Sequence, residues 1–310
     1  EALHPTTWVT DQAVDFLNRR RDPSRPFFLK VSYHRPHPPL DPPARFLDEY
    51  RTIDPPEPVV GDWSKDITPS HSSPESPSPR HPREIRLARQ AYYAQCTHID
   101  TQINRLQMAL QRGGARENTA ILFVSDHGEM LYDHNFTGKT VPFEASAGIP
   151  CIMRLPREWK ERKLRGTTPD AVVELRDVLA TCCDFAGIAA EDQPDHDGIS
   201  LLDAARGQRR LEALHGEHFA GDISNHWMTD GQQKYIWWSQ RGDEQLFDLE
   251  ADPQEAHDLS AERPDDVKRW RQRLVSELEG REEGYVQDGK LIAGRPQKPT
   301  LSHAGTTLPR

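Results

Sequence analysis

The segment Thr119-Ala-Ile-Leu-Phe-Val-Ser-Asp126-His127-Gly128-Glu129 constrains the fold more than any other stretch of the chain. Residues 119–124 form an unbroken apolar and β-branched run, the pattern of a strand buried in a parallel sheet. The run stops abruptly on Ser125, Asp126, His127 and Gly128. In open α/β sheets, ligands bind just beyond the carboxyl ends of the strands. Asp126 and His127 offer a carboxylate oxygen and an imidazole nitrogen there, a usable pair of metal ligands. Gly128 permits a sharp turn after them. Lys139 follows in Thr-Gly-Lys-Thr, and then a second strand pattern, Ile149–Leu155. A metal pair beside a cation predicts a site for an anionic group. The plainer alternative is a polar turn in which Asp126 caps the next helix, with Lys139 an exposed loop lysine.

A second strand end carries related chemistry. Phe27–Tyr33 reads as a buried strand and runs into His34-Arg35-Pro36-His37-Pro38-Pro39. The prolines forbid helix, hold the chain extended and reduce the entropy lost on fixing the imidazoles. The alternative, a surface loop with two incidental histidines, weakens once two strand ends offer complementary groups.

Four blocks then show a resemblance: PFFLKVSYHRPHPPLDPPARFLDEY, YYAQCTHIDTQINRL, TAILFVSDHGEMLYDHNFTGKTVPFEASAGIPCIMR and EQLFDLEADPQEAHDLS. They resemble, in order, the later blocks of type I sulfatases, in the alkaline phosphatase superfamily. The similarity spans roughly residues 5–260 and is nearest to bacterial arylsulfatase-like and polysaccharide sulfatases, with phosphonate monoester hydrolases as near relatives. It implies an α/β fold: part of an alkaline-phosphatase-like sheet sandwiched by helices, with a small C-terminal antiparallel α+β subdomain. It implies metal ligation by Asp126 and His127, with calcium first and manganese or magnesium as alternatives. It assigns Lys139 to a sulfate or leaving-group oxygen and His37 to proton donation. His34 becomes a pocket or supporting residue, with a structural role equally open. The implied partner is a sulfated small molecule or carbohydrate. Competing functions are a phosphonate monoester or phosphodiester hydrolase and a non-catalytic sulfatase-like binding protein.

Sulfatases carry their nucleophile in Cys/Ser-x-Pro-x-Arg, where the Cys or Ser is oxidised to formylglycine. None of Cys96, Cys151, Cys182 and Cys183 has that context, and Ser76-Pro-Ser-Pro-Arg80 has the wrong spacing. The family's first strand with two metal-binding aspartates and its Lys-x-His block are not found either. The chain therefore reads as the later part of a sulfatase, and it is expected to be inactive alone because the nucleophile lies outside it.

At 310 residues the chain has room for one large domain or two smaller ones. The pattern divides into 1–205, the later catalytic part with a Pro/Ser-rich insertion at 54–83; 206–280, a small subdomain; and 281–310, an extended tail. Residues 69–80 read as a mobile loop, with a lid as the sharper alternative. Helices are expected at Asp11–Arg20, 84–111, 179–186 and 264–279. In the 84–111 helix, Ile85, Ala88, Tyr92, Ile99, Ile103, Leu106 and Leu110 are core candidates. Short strands are expected at His215–Ala220, Asn225–Thr229, Lys234–Ser239 and Gln245–Leu249. Within His215-Gly-Glu-His218, the Glu and a His could reach a cleft and bind a sugar, with His218 the substrate-binding candidate; a solvated strand edge is the alternative. Glu129 and His134 have the same standing. Trp227, Trp237 and Trp238 are expected to pack in the core rather than stack on a sugar. The net charge, 39 − 49 = −10, argues against nucleic acid as a partner. No apolar stretch reaches transmembrane length, so no membrane partner is expected, and the four cysteines, without framework spacing, give no disulfide prediction either way. Localisation and oligomeric state leave no legible mark on the sequence.

Overall fold

Prolines open several of the helices and glycines close others. In chain order the helices are α1 Pro5–Asp15, α2 Ala44–Tyr50, α3 Pro82–Arg112, α4 Glu144–Ala147, α5 Asp177–Ala186, α6 Leu201–Arg206 and α7 Pro264–Leu278. The strands that matter for the site are β1 Ile121–Val124, β2 Cys151–Arg154, β3 Leu214–His218, β4 Asn225–Thr229, β5 Gln233–Trp238 and β6 Glu244–Asp248. The computed structural model describes residues 1–65, 70–71, 81–159, 162–219 and 221–295. Most of the Pro/Ser-rich run at 69–80, read above as a loop or lid, lies outside the described residues, as does the tail beyond 295.

Two units are resolved. The first comprises 1–58, 79–123 and 152–165. Its axis is α3, which starts on Pro82 and ends at Gly113, as expected for residues that tolerate those helix termini. Helices α1 and α2 both pack on it. The buried face of α3 differs from the apolar stripe expected from sequence. Ile99 and Leu110 are buried, but Ile85, Ala88, Tyr92, Ile103 and Leu106 are only half-buried. Gln90, Gln95, His98 and Gln102 are buried in their place. Several of these polar groups are satisfied by loop backbone or helix side chains, which removes the cost of burying them. Gln90 donates to the Ile53 carbonyl at 2.8 Å, Gln95 donates to the Pro39 carbonyl at 3.0 Å, and His98 Nε2 meets Thr7 Oγ1 at 3.2 Å.

The strand expected at Phe27–Tyr33 is not formed. The segment joins no ladder among the described residues, and Phe28 is 76% exposed. Extended backbone becomes a strand only when a neighbour takes up its N–H and C=O groups. The expected burial of the 119–124 run is also corrected. β1 is hydrogen-bonded to β2 alone among the described residues, with Ile121–Phe123 and Ile152–Arg154 falling in this unit. Phe123 is 38% and Ile152 is 63% exposed.

The second unit comprises 59–78, 124–151 and 166–310, and so contains the whole of 206–280. Its centre is an antiparallel sheet in the order β3-β4-β5-β6. Successive side chains point to opposite faces. The register pairs Glu217 with His226 and His226 with Trp237. One face therefore carries His215, Glu217, His226, Met228, Tyr235, Trp237 and Leu246. Helix α7 covers it with Val267, Trp270, Leu274 and Leu278, spaced for a single helix face. Each such side chain, fully buried, contributes about 1.5–3 kcal/mol. The other face carries Trp227, Ile236, Trp238 and Phe247, which pack with Met130, Phe136, Val141 and Phe143 from the segment after β1. Trp237 and Trp238 fill the core, as expected. The tail enters the core too, because Tyr285 is buried against α7's side of the sheet.

Candidate functional site

The second unit holds Asp126, His127 and Lys139 together on one continuous segment. No helix begins at Asp126; its Oδ1 instead accepts the backbone N–H of His127 at 3.1 Å. His127 Nδ1 lies 2.7 Å from the Gly128 carbonyl. A carbonyl only accepts, so Nδ1 carries a proton, and in the neutral ring Nε2 then holds the lone pair. Nε2 lies 3.8 Å from Asp126 Oδ2. A metal-ligating imidazole is ordinarily oriented in this way, by a carbonyl on its other nitrogen. The donor set of one carboxylate and one imidazole fits part of a divalent metal site. Gly128 is needed for closeness rather than for a turn. A Cβ built there would lie 2.1 Å from the Ala145 carbonyl oxygen, and its N–H donates to Ser146 O at 2.7 Å.

The Lys139 loop is folded back against that strand end. Glu129 Oε1 accepts from the backbone N–H of Gly138 at 2.5 Å and of Leu131 at 3.3 Å. Met130 N–H donates to the Gly138 carbonyl at 2.8 Å. Glu129 is thus the clasp of the loop. His134 is also structural: its Nδ1 accepts from Gly61 N–H at 3.2 Å and its Nε2 donates to the Gln254 carbonyl at 2.9 Å. Burial holds its pKa below the usual imidazole value. Sequence reasoning missed the anchor beyond the loop. Lys234, fully buried, lies 2.6 Å from Glu144 and 2.8 Å from Glu255, and donates to the Pro142 carbonyl at 2.9 Å. Burial pushes the Glu255 carboxyl up, against the opposing pull of Lys234. Only the unbroken apolar run Tyr235–Trp238 next to Lys234 signalled it, since a lysine inside a strand pattern ordinarily faces water.

His34 and His37 lie in the first unit. Their ring centroids are 4.9 Å apart, across a turn in which His37 N–H donates to the His34 carbonyl at 3.2 Å. His37 Nδ1 sits 2.8 Å from the Pro38 carbonyl, which fixes the proton on Nδ1 and presents Nε2. His34 Nδ1 accepts from Arg35 at 2.5 Å. Buried Arg35 grips Asp41 through both oxygens, at 2.6 and 2.8 Å. That hydrogen-bonded pairing holds the Asp41 carboxyl below its usual range. His34 is therefore set by an ion pair, His37 by a backbone carbonyl.

The His215-Gly-Glu-His218 run is divided by the period of the strand. His215 and Glu217 face α7 with His226. His218 faces the opposite side, where its cross-strand partner Asn225 donates to the Thr140 carbonyl at 3.1 Å, one residue beyond Lys139. Gly216 between them is required, because a Cβ there would fall 2.2 Å from the Trp227 ring. Burial lowers the His215 pKa to about 4, aided by His226. Burial alone would raise Glu217, but hydrogen bonds from His226 and Arg281 bring it to about 2.

The sulfatase family model matches residues 4–188. The chain is 44% identical over 310 residues to an arylsulfatase of Clostridium perfringens, covering 98% of this chain and 63% of that protein. It is 33% identical over 269 residues to a choline-sulfatase of Rhizobium meliloti, covering 83% and 51%. It thus spans between half and two thirds of these relatives' lengths. The phosphonate monoester hydrolase of Agrobacterium radiobacter shares the fold with a TM-score of 0.73 at 24% identity, covering 87% of this chain and 60% of that one. The structure of BT4656 in complex with its substrate D-glucosamine-2-N,6-O-disulfate does so with a TM-score of 0.73 at 21% identity, covering 89% and 69%. These structures and the chain share one α/β fold. Within it, the chain belongs to the sulfatase family.

Proposed function

We propose that the protein carrying this chain is a sulfuric ester hydrolase acting on a sulfated carbohydrate or an aryl sulfate. The observation that carries the reading is the paired Asp126 and His127 at a strand end, with the Lys139 loop clasped beside them by Glu129. A divalent metal held there, calcium first with manganese or magnesium as alternatives, supplies Lewis-acid stabilisation of sulfate oxygens. Lys139 adds a compact positive charge for a sulfate or leaving-group oxygen. His37, protonated, donates from Nε2 to the departing alcohol, its Nδ1 being committed to the Pro38 carbonyl. His34 braces the turn, and His218 contacts the substrate from the sheet face nearest Thr140. The nucleophile is a formylglycine in a Cys/Ser-x-Pro-x-Arg motif outside these 310 residues.

The test measures metal content and aryl sulfate turnover together. A polypeptide joining this chain to such a motif is expected to hold metal and turn over, and the 310-residue chain alone to give no turnover. Asp126→Ala in the joined protein is expected to lose both metal and activity. Normal metal stoichiometry in that variant overturns the ligand assignment. Faster hydrolysis of a phosphodiester than of the sulfate ester favours a phosphonate monoester or phosphodiester hydrolase, the alternative on the same residues.

A further inference from the structure

The α7-facing side of the sheet gathers a second set of metal-ligating groups. His215 and Glu217 stand two residues apart on β3, and His226 lies directly across from Glu217 on β4. One ligand atom from each lies within 4.8 Å of the others. His215 Nε2 is 3.1 Å from His226 Nδ1; His226 Nδ1 is 3.4 Å from Glu217 Oε2; His215 Nε2 is 4.0 Å from Glu217 Oε2. A tetrahedral ion with bonds of about 2.0–2.2 Å separates its ligand atoms by about 3.3–3.5 Å. The three edges bracket that value, so small side-chain rotations suffice to close the triangle on an ion.

The frame around the triangle is rigid. The ladder between β3 and β4 fixes both backbones. His226 is fully buried, stacked on Trp237 at 5.6 Å and edge-on to Tyr285 at 4.8 Å. Behind His215, Nδ1 lies 3.9 Å from Glu277 on α7, beyond hydrogen-bond reach but on the side from which a carboxylate orients a ligating imidazole. Glu217 keeps a third of its side chain exposed, which leaves a water route to a fourth coordination position. Arg281 binds Glu217 at 2.8 and 3.0 Å and Glu283 at 2.7 Å. With an ion on Oε2, the guanidinium still has Oε1 and Glu283. The carboxylates of Glu217, Glu277 and Glu283 outnumber the guanidiniums of Arg281 and Arg176 that act on the cluster, so the local field favours a cation.

We propose that His215, Glu217 and His226 bind a divalent transition-metal ion of the zinc class, with three protein ligands and one open position. Two imidazoles with one carboxylate select such an ion over calcium or magnesium, which prefer all-oxygen shells. The ion rivets β3 to β4 on the face opposite the Lys139 loop. The inference does not depend on the hydrolase reading.

The experiment uses the purified 310-residue chain, stripped with a chelator. It is titrated with Zn²⁺ against a colorimetric zinc chelator, and with Co²⁺ while recording the visible spectrum and the histidine ring protons. One ion per chain is expected, retained in the Asp126→Ala/His127→Ala double variant. Glu217→Gln, isosteric at a partly exposed position, and His215→Ala are each expected to weaken binding by about 100-fold or more, since loss of even an outer partner costs roughly 10–100-fold. Co²⁺ is expected to give tetrahedral absorption and to broaden the His215 and His226 ring signals. Unchanged affinity in both single variants, loss of all zinc in the double variant, or Co²⁺ signals confined to other histidines overturns the proposal.

Discussion

At the scale of single residues, the partner of one imidazole nitrogen decides what the other can do. His127 and His37 each give Nδ1–H to a backbone carbonyl and present Nε2. His34 is the reverse, with Nδ1 taken by Arg35. A proton donor needs a ring nitrogen turned to the leaving group, and Arg35 already occupies Nδ1 of His34. His37→Ala is therefore expected to cost about 10²–10⁴-fold in rate on sulfate esters with poor leaving groups, and much less on activated aryl esters. His34→Ala is expected to show a smaller loss with little dependence on the leaving group. A leaving-group series run on both variants checks this, and the opposite order would reverse the assignment.

At the scale of elements, the loop bearing Lys139 is held from the C-terminal sheet as much as from its own strand. Lys234 is ion-paired to two carboxylates, Glu255, as fully buried as the lysine itself, and Glu144, whose side chain is 40% exposed. Lys234→Met leaves Glu144 and Glu255 uncompensated, and the expected loss is about 3–5 kcal/mol of stability, read as a lower urea midpoint. A shift within about 0.5 kcal/mol, the range of ordinary surface substitutions, would remove the anchor from this account. Much of the element pattern was legible in the sequence. Asp230-Gly231 does form a turn, with Asp230 Oδ1 accepting from the N–H groups of Gln232 and Gln233 at 2.9 and 2.8 Å. Helices α3 and α7 begin on their prolines. Local signals of this kind act within a few residues. What escaped was non-local: the missing ladder partner of Phe27–Tyr33, the polar core of α3, and the buried Lys234. Each depends on groups far away in sequence. The His215–His218 run was seen as one candidate, but strand alternation sends its members to opposite faces of the sheet.

At the scale of the whole molecule, two buried imidazoles in different units report on pH. Burial brings His98 to about 4, with His4 adding to the effect, and burial with His226 brings His215 to about 4, against a usual 6.5. Between those values the unfolded chain binds more protons than the folded one, so stability rises with pH through that window. It is fully present above pH 6.5 and is lost as pH falls towards 4. Urea midpoints at pH 7 and pH 5 are expected to differ in that sense, and His98→Gln is expected to flatten the difference; a flat parent profile would contradict the burial argument. The Lys234 anchor has a further meaning for how such a chain changes over generations. Residues 144, 234 and 255 sit in three separate stretches of sequence yet share one charge balance. A lineage that trades the lysine for an apolar side chain must also neutralise both glutamates, and a lineage that loses one glutamate shifts the pressure onto the other. The three positions are expected to change together or not at all, a coupling that no inspection of neighbouring residues would reveal.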